Sequence, residues 1–231
     1  MGSIAIIPAR GGSKRIPRKN IKEFCGKPIL AYSIEAALSS GVFDAVMVST
    51  DDEEIADIAR AYGAQVPFLR SAEASGDFAT TADVLLEVLA EYEKMGQSFT
   101  MGCCIFPTAP FVTDKKLTEA SEKFSASTAD ALFPVVAFDY PTQRAMVIRE
   151  GNLVFENPQY MNSRSQDLEP HYHDAGQFFF FRVEAFKKNR TALVGEILPL
   201  EVSGLEVQDI DNETDWQIAE MKYRLMREKT D

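Results

Sequence analysis

The fold is decided by a stretch near the N-terminus that reads IAIIPARGGSKRIPRKN, from Ile4 to Asn20. Its first four residues are apolar and mostly β-branched, which predicts a short buried strand. Apolar residues at helical spacing between Pro28 and Ser40 predict a helix further on. The stretch therefore predicts a strand, a long loop and a helix, the opening unit of an α/β fold.

The loop that follows the strand, residues 8–20, reverses the charge of the chain. It carries five basic residues and no acidic one, although the formal net charge of the chain is −11. Gly11 and Gly12 allow backbone N–H groups to turn toward a ligand, because glycine accepts positive φ and blocks nothing. Glycine with lysine after a first strand is one way to bind phosphate, although this is neither a Walker A loop nor GxGxxG. We expect an anion-binding loop; a solvated basic turn is the alternative.

Strands and helices alternate along the chain to about residue 138. This alternation indicates βαβ units in a Rossmann-like, three-layer fold with a mostly parallel sheet flanked by helices. Ligands of such sheets bind at the carboxyl ends of the strands, where the loops 8–20, 49–52, 70–81 and 106–111 fall. The predicted strands are 45–50, 65–69, 100–106, 132–138, 177–181 and 196–202, and the predicted helices are 53–62, 80–92, 114–124 and 212–226.

The alternation stops at residues 139–176, which we interpret as an arm inserted into a single domain spanning residues 1–231. Residues 145–149 and 153–155 flank a Glu-Gly-Asn turn and predict a hairpin. A hairpin inserted into an α/β domain cannot bury both of its faces alone, so we expect the arm to mediate dimerisation. An irregular surface excursion is the alternative.

Composition excludes several classes of protein. The chain has 231 residues, 45% of them hydrophobic and 26% charged, which suits one large α/β domain rather than a disordered or membrane protein. No apolar run reaches the ~18 residues of a membrane span, and the acidic balance argues against a nucleic-acid polymer as partner. Cys25, Cys103 and Cys104 have neither CxxC nor zinc spacing, so we expect a reduced, cytoplasmic compartment.

Loop 8–20 resembles the N-terminal signature of the sugar-acid cytidylyltransferases, the CMP-sialic acid synthetases and their relatives. That signature is A-R-x-x-S-K-x-x-P-x-K-N, and every fixed position is filled here. The resemblance implies that the loop wraps the triphosphate of CTP, with Arg10 and Lys14 as catalytic residues that hold the phosphates. Lys14 would stabilise charge on the leaving pyrophosphate. The other CTP-binding residues that it implies in this loop are Ala9, Gly11, Ser13, Lys19 and Asn20.

Asp209-Ile210-Asp211 precedes the last predicted helix. Alternate residues of an extended segment point to one side, so both carboxylates face one way and Ile210 faces the other. Two hard oxygen ligands beside a triphosphate suit Mg²⁺, whereas helix capping by Asp211 or Asn212 is the alternative. The matching family motif, D-I-D before an acidic helix start, implies that Asp209 and Asp211 hold the metal and that Asp211 is catalytic.

Residues 69–77 resemble the family's R-P-x-x-L-A-x-D segment, which contacts the nucleotide base. Arg70 and Asp77 match this segment, but its proline is absent here. A surface ion pair with Glu73 is the alternative for Arg70. Thr80 completes the expected CTP contacts, although capping of the following helix would also explain it.

Two segments depart from the sialic acid enzymes where the sugar should bind. Phe106 stands where those enzymes have glutamine, although the Pro-Thr-x-Pro that follows matches. The D-A-G-Q-F form of residues 174–178 resembles the pseudaminic acid branch of the family instead. The residues from which we expect sugar contacts are Phe106, Thr108, His173, Asp174 and Gln177.

The resemblance covers nearly the full chain and implies an enzyme. It would transfer CMP from CTP to the anomeric hydroxyl of a nine-carbon α-keto acid sugar, pseudaminic acid, and release pyrophosphate. Mg²⁺ would be the cofactor and a homodimer the expected assembly. Three alternatives stay open: a CMP-N-acetylneuraminate or legionaminate synthetase, a nucleotidyltransferase for a sugar phosphate, and a CTP-binding module without catalysis.

Overall fold

The computed structural model describes residues 2–13, 15–76 and 78–228. Its strands are β1 Ser3–Pro8, β2 Glu23–Phe24, β3 Lys27–Pro28, β4 Ala45–Ser49, β5 Met101–Ile105, β6 Ala131–Ala137, β7 Met146–Arg149, β8 Asn152–Phe155, β9 Tyr172–Asp174, β10 Phe178–Arg182 and β11 Ile197–Glu201. Its α-helices are α1 Ile29–Ser40, α2 Glu53–Ala61, α3 Ala72–Ser75, α4 Thr81–Lys94, α5 Asp114–Ser125, α6 Val183–Asn189 and α7 Glu213–Glu228.

A mixed sheet forms the middle layer, in the order β11-β6-β10-β5-β1-β4, with β9 paired to β6. β1 runs parallel to β4 and β5, and β11 runs parallel to β6. β10 runs antiparallel to both of its neighbours, because the segment after β6 re-enters the sheet at the same end of the strands at which β6 finishes. The predicted Rossmann-like, helix-flanked sheet is confirmed, with β9 and β10 as antiparallel strands.

Helices cover both faces of this sheet. Phe178 and Phe180 pack with buried residues of α1, α2 and α5, whereas Phe179 and Phe181 pack with those of α4 and α6. The sheet is therefore buried on both faces, which explains a strand that is apolar at four successive positions. Gly102 on β5 makes room for this strand, since a Cβ there would lie 2.2 Å from Cζ of Phe181.

One strand prediction is wrong. Residues 65–69 contain a single bridge, between Gln65 and Met47. Pro67, two residues after Gln65, has no N–H with which to continue the ladder. Beyond this single bridge, the segment is therefore an irregular connection and not a strand.

The segment 139–176 contains the predicted hairpin. β7 and β8 pair antiparallel with each other, and Glu150 and Gly151 in their turn both have positive φ, as a two-residue hairpin turn requires. β9 lies in the same segment but joins the central sheet beside Val135–Ala137 of β6. Only the part before β9 thus stands apart from the sheet.

Helix ends follow the polar residues of the sequence. Asp52 caps α2, Thr80 caps α4 in a capping box with Asp83, and Gly41, with a φ of 64°, ends α1. Within the described residues, no helix is long and apolar enough to cross a membrane.

Candidate active site

Two adjoining clefts open at the carboxyl ends of the parallel strands. The first, which we call the loop cleft, measures about 600 Å³ and lies between loop 8–20, residues 70–84 and residues 106–108. The second, the arm cleft, measures about 1180 Å³ and lies between residues 136–140, 173–176 and 204–211. The residues that line both clefts, the shared wall, are Arg10, Arg15, Lys19, Thr81, Phe106, Thr108 and Asp211.

Backbone hydrogen bonds hold loop 8–20 at this edge. Ala9 donates its N–H to the Ser49 carbonyl at 2.9 Å, and Asn20 donates from Nδ2 to the Arg10 carbonyl at 2.9 Å. Ala9 is fully buried and Asn20 nearly so. Ala9 therefore supports the loop from beneath, Asn20 holds the loop and also lines the loop cleft, and Arg10 lines both clefts.

The glycines of the loop act differently from the sequence expectation. The Gly11 N–H donates to the Asp51 carboxylate at 2.9 Å, and neither Gly11 nor Gly12 has positive φ. The expectation that these glycines take positive φ is therefore wrong. For Gly11, the expectation that its N–H turns toward a ligand is also wrong, because that N–H binds Asp51. A Cβ on Gly11 would lie 2.7 Å from an Asp52 carboxylate oxygen, so close approach to α2 is what requires glycine here.

Arg18 ties the loop to the start of α2. Its guanidinium lies 2.5 Å from the Asp52 carboxylate and also pairs with Glu54. The hydrogen bond from Arg18 holds the pKa of Asp52 below its usual range, against the opposing effect of burial. Arg18 is thus engaged away from the two clefts.

Arg15 and Lys19 tie the loop to the segment that carries the predicted metal ligands. Arg15 Nη1 lies 2.6 Å from Asp211 Oδ2, and Lys19 donates from Nζ to the Ile210 carbonyl. Burial lowers the pKa of Lys19, and the neighbouring Asp211 and Asp209 oppose that shift. Of these two cations of the shared wall, Arg15 therefore pairs with the Asp211 carboxylate, and Lys19 binds the backbone beside it.

Capping of α7 does not use the side-chain carboxylates of the two predicted metal ligands. The Asn212 side-chain oxygen accepts from the Asp215 N–H at 3.0 Å, and the Asp215 carboxylate accepts from the N–H groups of Asn212 and Asp211 at 3.0 and 2.9 Å. This reciprocal pair satisfies the helix start. The carboxylates of Asp209 and Asp211 are left to face the arm cleft, and that of Asp211 the loop cleft too.

A small apolar cluster holds the two distant parts of the chain together. Ile210, 1% exposed, packs with Ile16 and Trp216, in agreement with the expectation that it faces away from the two carboxylates. Lys22 donates to the Glu213 carboxylate at 2.7 Å and lies 4.5 Å from the Trp216 ring centre. The arrangement fixes the carboxylates against the basic loop.

The donor set of this junction suits Mg²⁺. Asp209 and Asp211 offer hard carboxylate oxygens, and among the described residues no cluster of three or more His, Cys, Asp or Glu could hold a metal ion. Two carboxylates completed by phosphate oxygens and water are a usual magnesium environment. The residues present therefore fit that ion as one bound together with a phosphorylated ligand.

Arg70 lies buried in the loop cleft. It is 8% exposed, and its Nε donates to the Ser49 hydroxyl at 3.0 Å. Burial lowers its pKa, and the ion pair with Glu73 that was its alternative is not formed. Thr80 also lines the loop cleft, and capping explains its position on its own. Ser13 lines the same cleft.

The residues expected to contact sugar separate into three groups. Phe106 and Thr108 belong to the shared wall, and His173 and Asp174 line the arm cleft. Gln177 lines neither cleft: it is 2% exposed and donates from Nε2 to the Glu206 carbonyl. Its position is one of support for the turn that leads to Asp209.

The two clefts meet at a shared wall that carries both basic and acidic side chains. A comparison with the sequences of known families agrees with this geometry. A sequence model of the family described as cytidylyltransferase matches residues 4–224. The chain belongs to the cytidylyltransferase family. This match, together with the similar proteins described next, confirms the likeness to sugar-acid cytidylyltransferases that the motifs indicated.

This cytidylyltransferase is similar to sugar-acid cytidylyltransferases over almost its whole length. It is 42% identical to a pseudaminic acid cytidylyltransferase of Campylobacter jejuni, with 99% of each chain covered. It is 32% identical to the CMP-N,N'-diacetyllegionaminic acid synthase of Legionella pneumophila, again over 99% of each. Its fold resembles a CMP:2-keto-3-deoxy-manno-octonic acid synthetase complexed with CTP, with a TM-score of 0.69, 17% identity and coverage of 99% and 100%.

Some residues that line the two clefts were not expected from the sequence, and two expected residues lie outside the part of the chain that the structure describes. Lys14 and Asp77, both expected at the nucleotide, lie outside the described residues. Lining residues to which no role was assigned from the sequence include Arg15, Thr81, Phe138, Tyr140 and Lys222. Arg15 was visible as one more charge of the loop, but Lys222 lies within a helix where no motif marks it.

Proposed function

We propose that this cytidylyltransferase transfers CMP from CTP to the anomeric hydroxyl of a nonulosonic acid, the nine-carbon α-keto acid sugar pseudaminic acid. The shared wall is the observation that carries the proposal. A ligand in each cleft would meet the other beside Arg10, Arg15 and Asp211. A reaction between two substrates needs such a junction, whereas a CTP-binding module needs only one cleft.

The chemistry asks little of the protein beyond position and charge. The anomeric oxygen forms a bond to the α-phosphorus, and the bond from that phosphorus to the oxygen shared with the β-phosphorus breaks. Pyrophosphate leaves with the electron pair, and the hydroxyl proton passes to solvent. Catalysis of such displacements is mainly positioning and charge neutralisation. Arg10 and Lys19 bring positive charge to the shared wall, and Lys14 is assigned the leaving pyrophosphate by its motif.

Asp209 and Asp211 would hold Mg²⁺ at the junction of the clefts. When bound there, the ion would neutralise phosphate oxygens and lower the pKa of a bound hydroxyl. The tie of Lys19 to the Ile210 carbonyl and the burial of Ile210 keep both carboxylates in place. The metal role of Asp209 and Asp211 is supported by the observation that Asn212 and Asp215 cap α7, which leaves the carboxylates of Asp209 and Asp211 unused by the cap.

The choice of sugar follows the similar proteins. Identity is 42% to a protein named for pseudaminic acid and 32% to one named for diacetyllegionaminic acid. His173 and Asp174 line the arm cleft, where their departure from the sialic acid motif would act on sugar choice. These observations favour pseudaminic acid over its stereoisomers.

The test is pyrophosphate release from CTP and Mg²⁺, with pseudaminic, N,N'-diacetyllegionaminic and N-acetylneuraminic acids supplied in parallel. Release with pseudaminic acid far above the other two is expected. Release with another nonulosonic acid alone would keep the reaction and overturn the sugar. CTP binding measured by calorimetry, without release for any of the three, would favour the non-catalytic module.

A homodimer in the cytoplasm is the setting that we propose. The hairpin pairs Met146 with Phe155 and Ile148 with Leu153 across its strands, which puts these four side chains on one face. Ile148 and Leu153 are largely exposed in the single chain, and a second copy would cover them. The free thiols of Cys25, Cys103 and Cys104 and the use of CTP support a reducing cytoplasm.

A further inference from the structure

We infer that Lys222 binds the carboxylate of the sugar, an inference that rests on the proposed function. Lys222 lies on α7 and lines the arm cleft but not the loop cleft. Among the described residues that line the arm cleft alone, it is the one lysine or arginine. The other three such cations of that cleft, Arg10, Arg15 and Lys19, belong to the shared wall, where the phosphates of CTP need them.

The charge of the arm cleft makes such a cation necessary. Asp139 and Asp174 line the arm cleft but not the loop cleft. The sugar is an α-keto acid and carries a carboxylate at neutral pH, so these two side chains would repel it. A single cation among them fixes where that carboxylate can sit.

The geometry of Lys222 suits a binding role. Its ammonium donates to the Val207 carbonyl at 2.7 Å and to the Gly204 carbonyl at 3.2 Å. An ammonium has three N–H donors, so these two bonds leave one for a ligand in the cleft. The same two bonds hold the flexible side chain in one place, which reduces the entropy lost when a ligand binds.

The position of this anchor also serves the reaction. In a nonulosonic acid the carboxylate carbon is bonded directly to the anomeric carbon, which carries the attacking hydroxyl. A carboxylate held by Lys222 on one wall therefore orients that hydroxyl within the cleft that Asp211 also lines. Orientation of this kind is a large part of catalysis by proximity.

The experiment compares pseudaminic acid with its methyl ester, which lacks the negative charge, in wild type, Lys222→Gln and Lys222→Arg. Lys123→Met is the matched control, because Lys123 also donates from Nζ to a backbone carbonyl, that of Pro199 at 2.6 Å, but lies on α5 away from both clefts. Initial rates give KM for each sugar, KM for CTP and the Mg²⁺ concentration at half-maximal rate.

Lys222→Gln is expected to raise KM for the acid about 10- to 100-fold, with KM for the ester and for CTP close to wild type. Lys222→Arg should keep a preference for acid over ester, and Lys123→Met should behave as wild type. The preference of the wild type for the acid should thus disappear with the charge at position 222, as in a double-mutant cycle.

Three outcomes would overturn the inference. Equal losses for acid and ester, with a raised Mg²⁺ requirement, would show that Lys222 only supports the turn before Asp209. No change in Lys222→Gln, or loss of the acid preference in a folded Lys222→Arg, would remove the anchor directly. Absence of wild-type turnover with every nonulosonic acid would instead overturn the proposed function, and this inference with it.

Discussion

Loop 8–20, which lines the site, and the hairpin of segment 139–176, which does not, are held in opposite ways. On the loop side, Arg18 binds the start of α2, while Arg15 and Lys19 bind the segment before α7. On the arm side, β7 and β8 pair only with each other among the described strands, and Ile148 and Leu153 are 77% and 65% exposed. One side is fixed within the chain, and the other presents an uncovered apolar face.

This contrast follows from what each side has to do. Charge stabilisation in phosphoryl transfer works when donors are already in place before the reaction, because no reorganisation is then needed. An isolated two-stranded hairpin is marginally stable in water, so a face of this kind gains its stability from what covers it. Changes on the loop side should therefore alter chemistry, and changes on the hairpin should alter assembly.

The largest expected effect comes from the carboxylate at the junction. Asp211→Asn keeps the shape of the side chain and removes its charge, so kcat should fall about 100- to 1,000-fold. Thermal unfolding should change little, since Asn212 and Asp215 cap α7 without this carboxylate. The measurements are steady-state kinetics across a Mg²⁺ series and Mn²⁺ binding to the protein without sugar.

Glu213→Gln is the matched control for this change. Glu213 is a carboxylate of the same segment, but it pairs with Lys22 and lines neither cleft. It should retain wild-type kcat and Mn²⁺ binding. Normal turnover in Asp211→Asn would contradict both the metal assignment and the view that the loop side holds the chemistry.

A second, smaller effect is expected at Arg15. Arg15→Gln should lower kcat about 10- to 100-fold, because this guanidinium belongs to the wall shared by both clefts and faces Asp211. KM for CTP should rise less, since the loop keeps its other cations. The measurement is kcat and KM for both substrates, with unfolding followed in parallel.

Arg18→Gln tests the same loop at a residue that faces away from the clefts. It should keep kcat and lose about 0.5–1 kcal/mol of stability, as for a partly exposed ion pair. Arg18 lowers the folded-state pKa of Asp52, so this stability is present above the unfolded pKa of about 3.9 and is lost as the pH falls through the folded value. Wild type and variant should converge in urea unfolding at acid pH. Equal kinetic losses in Arg15→Gln and Arg18→Gln would show that the loop acts only as a whole.

Much of the fold could be predicted because local signals and packing agree. Apolar runs marked the strands of the sheet, and Thr80 marked the start of a helix where the structure has one. The failure at residues 65–69 has a local cause, since Pro67 ends a ladder that its apolar neighbours would suit. The direction of β10 could not be predicted, because it depends on where the segment after β6 re-enters the sheet.

The site could be predicted where a motif carried it. Asp209 and Asp211 follow from alternation around a buried Ile210, and Arg10 from its signature. Lys222 could not be found, because its role depends on the approach of α7 to residues 204–207, which no spacing encodes. Gln177 shows the converse: its motif led us to expect it at the sugar, whereas it lies buried just before β10 and lines neither cleft.

Changes in the hairpin are expected to alter assembly with little effect on turnover, and they test directly whether its apolar face is covered by a second copy of the chain. Leu153→Asp puts a charge on the exposed face and should convert a dimer into a monomer, because burying that charge in an interface would be costly. Leu193→Asp is the matched control, since Leu193 is 69% exposed in the loop before β11. Light scattering on a sizing column gives the mass of each variant. Unchanged mass in both variants would leave the hairpin face without a second copy to cover it, and the arm side would then need another explanation for its apolar surface.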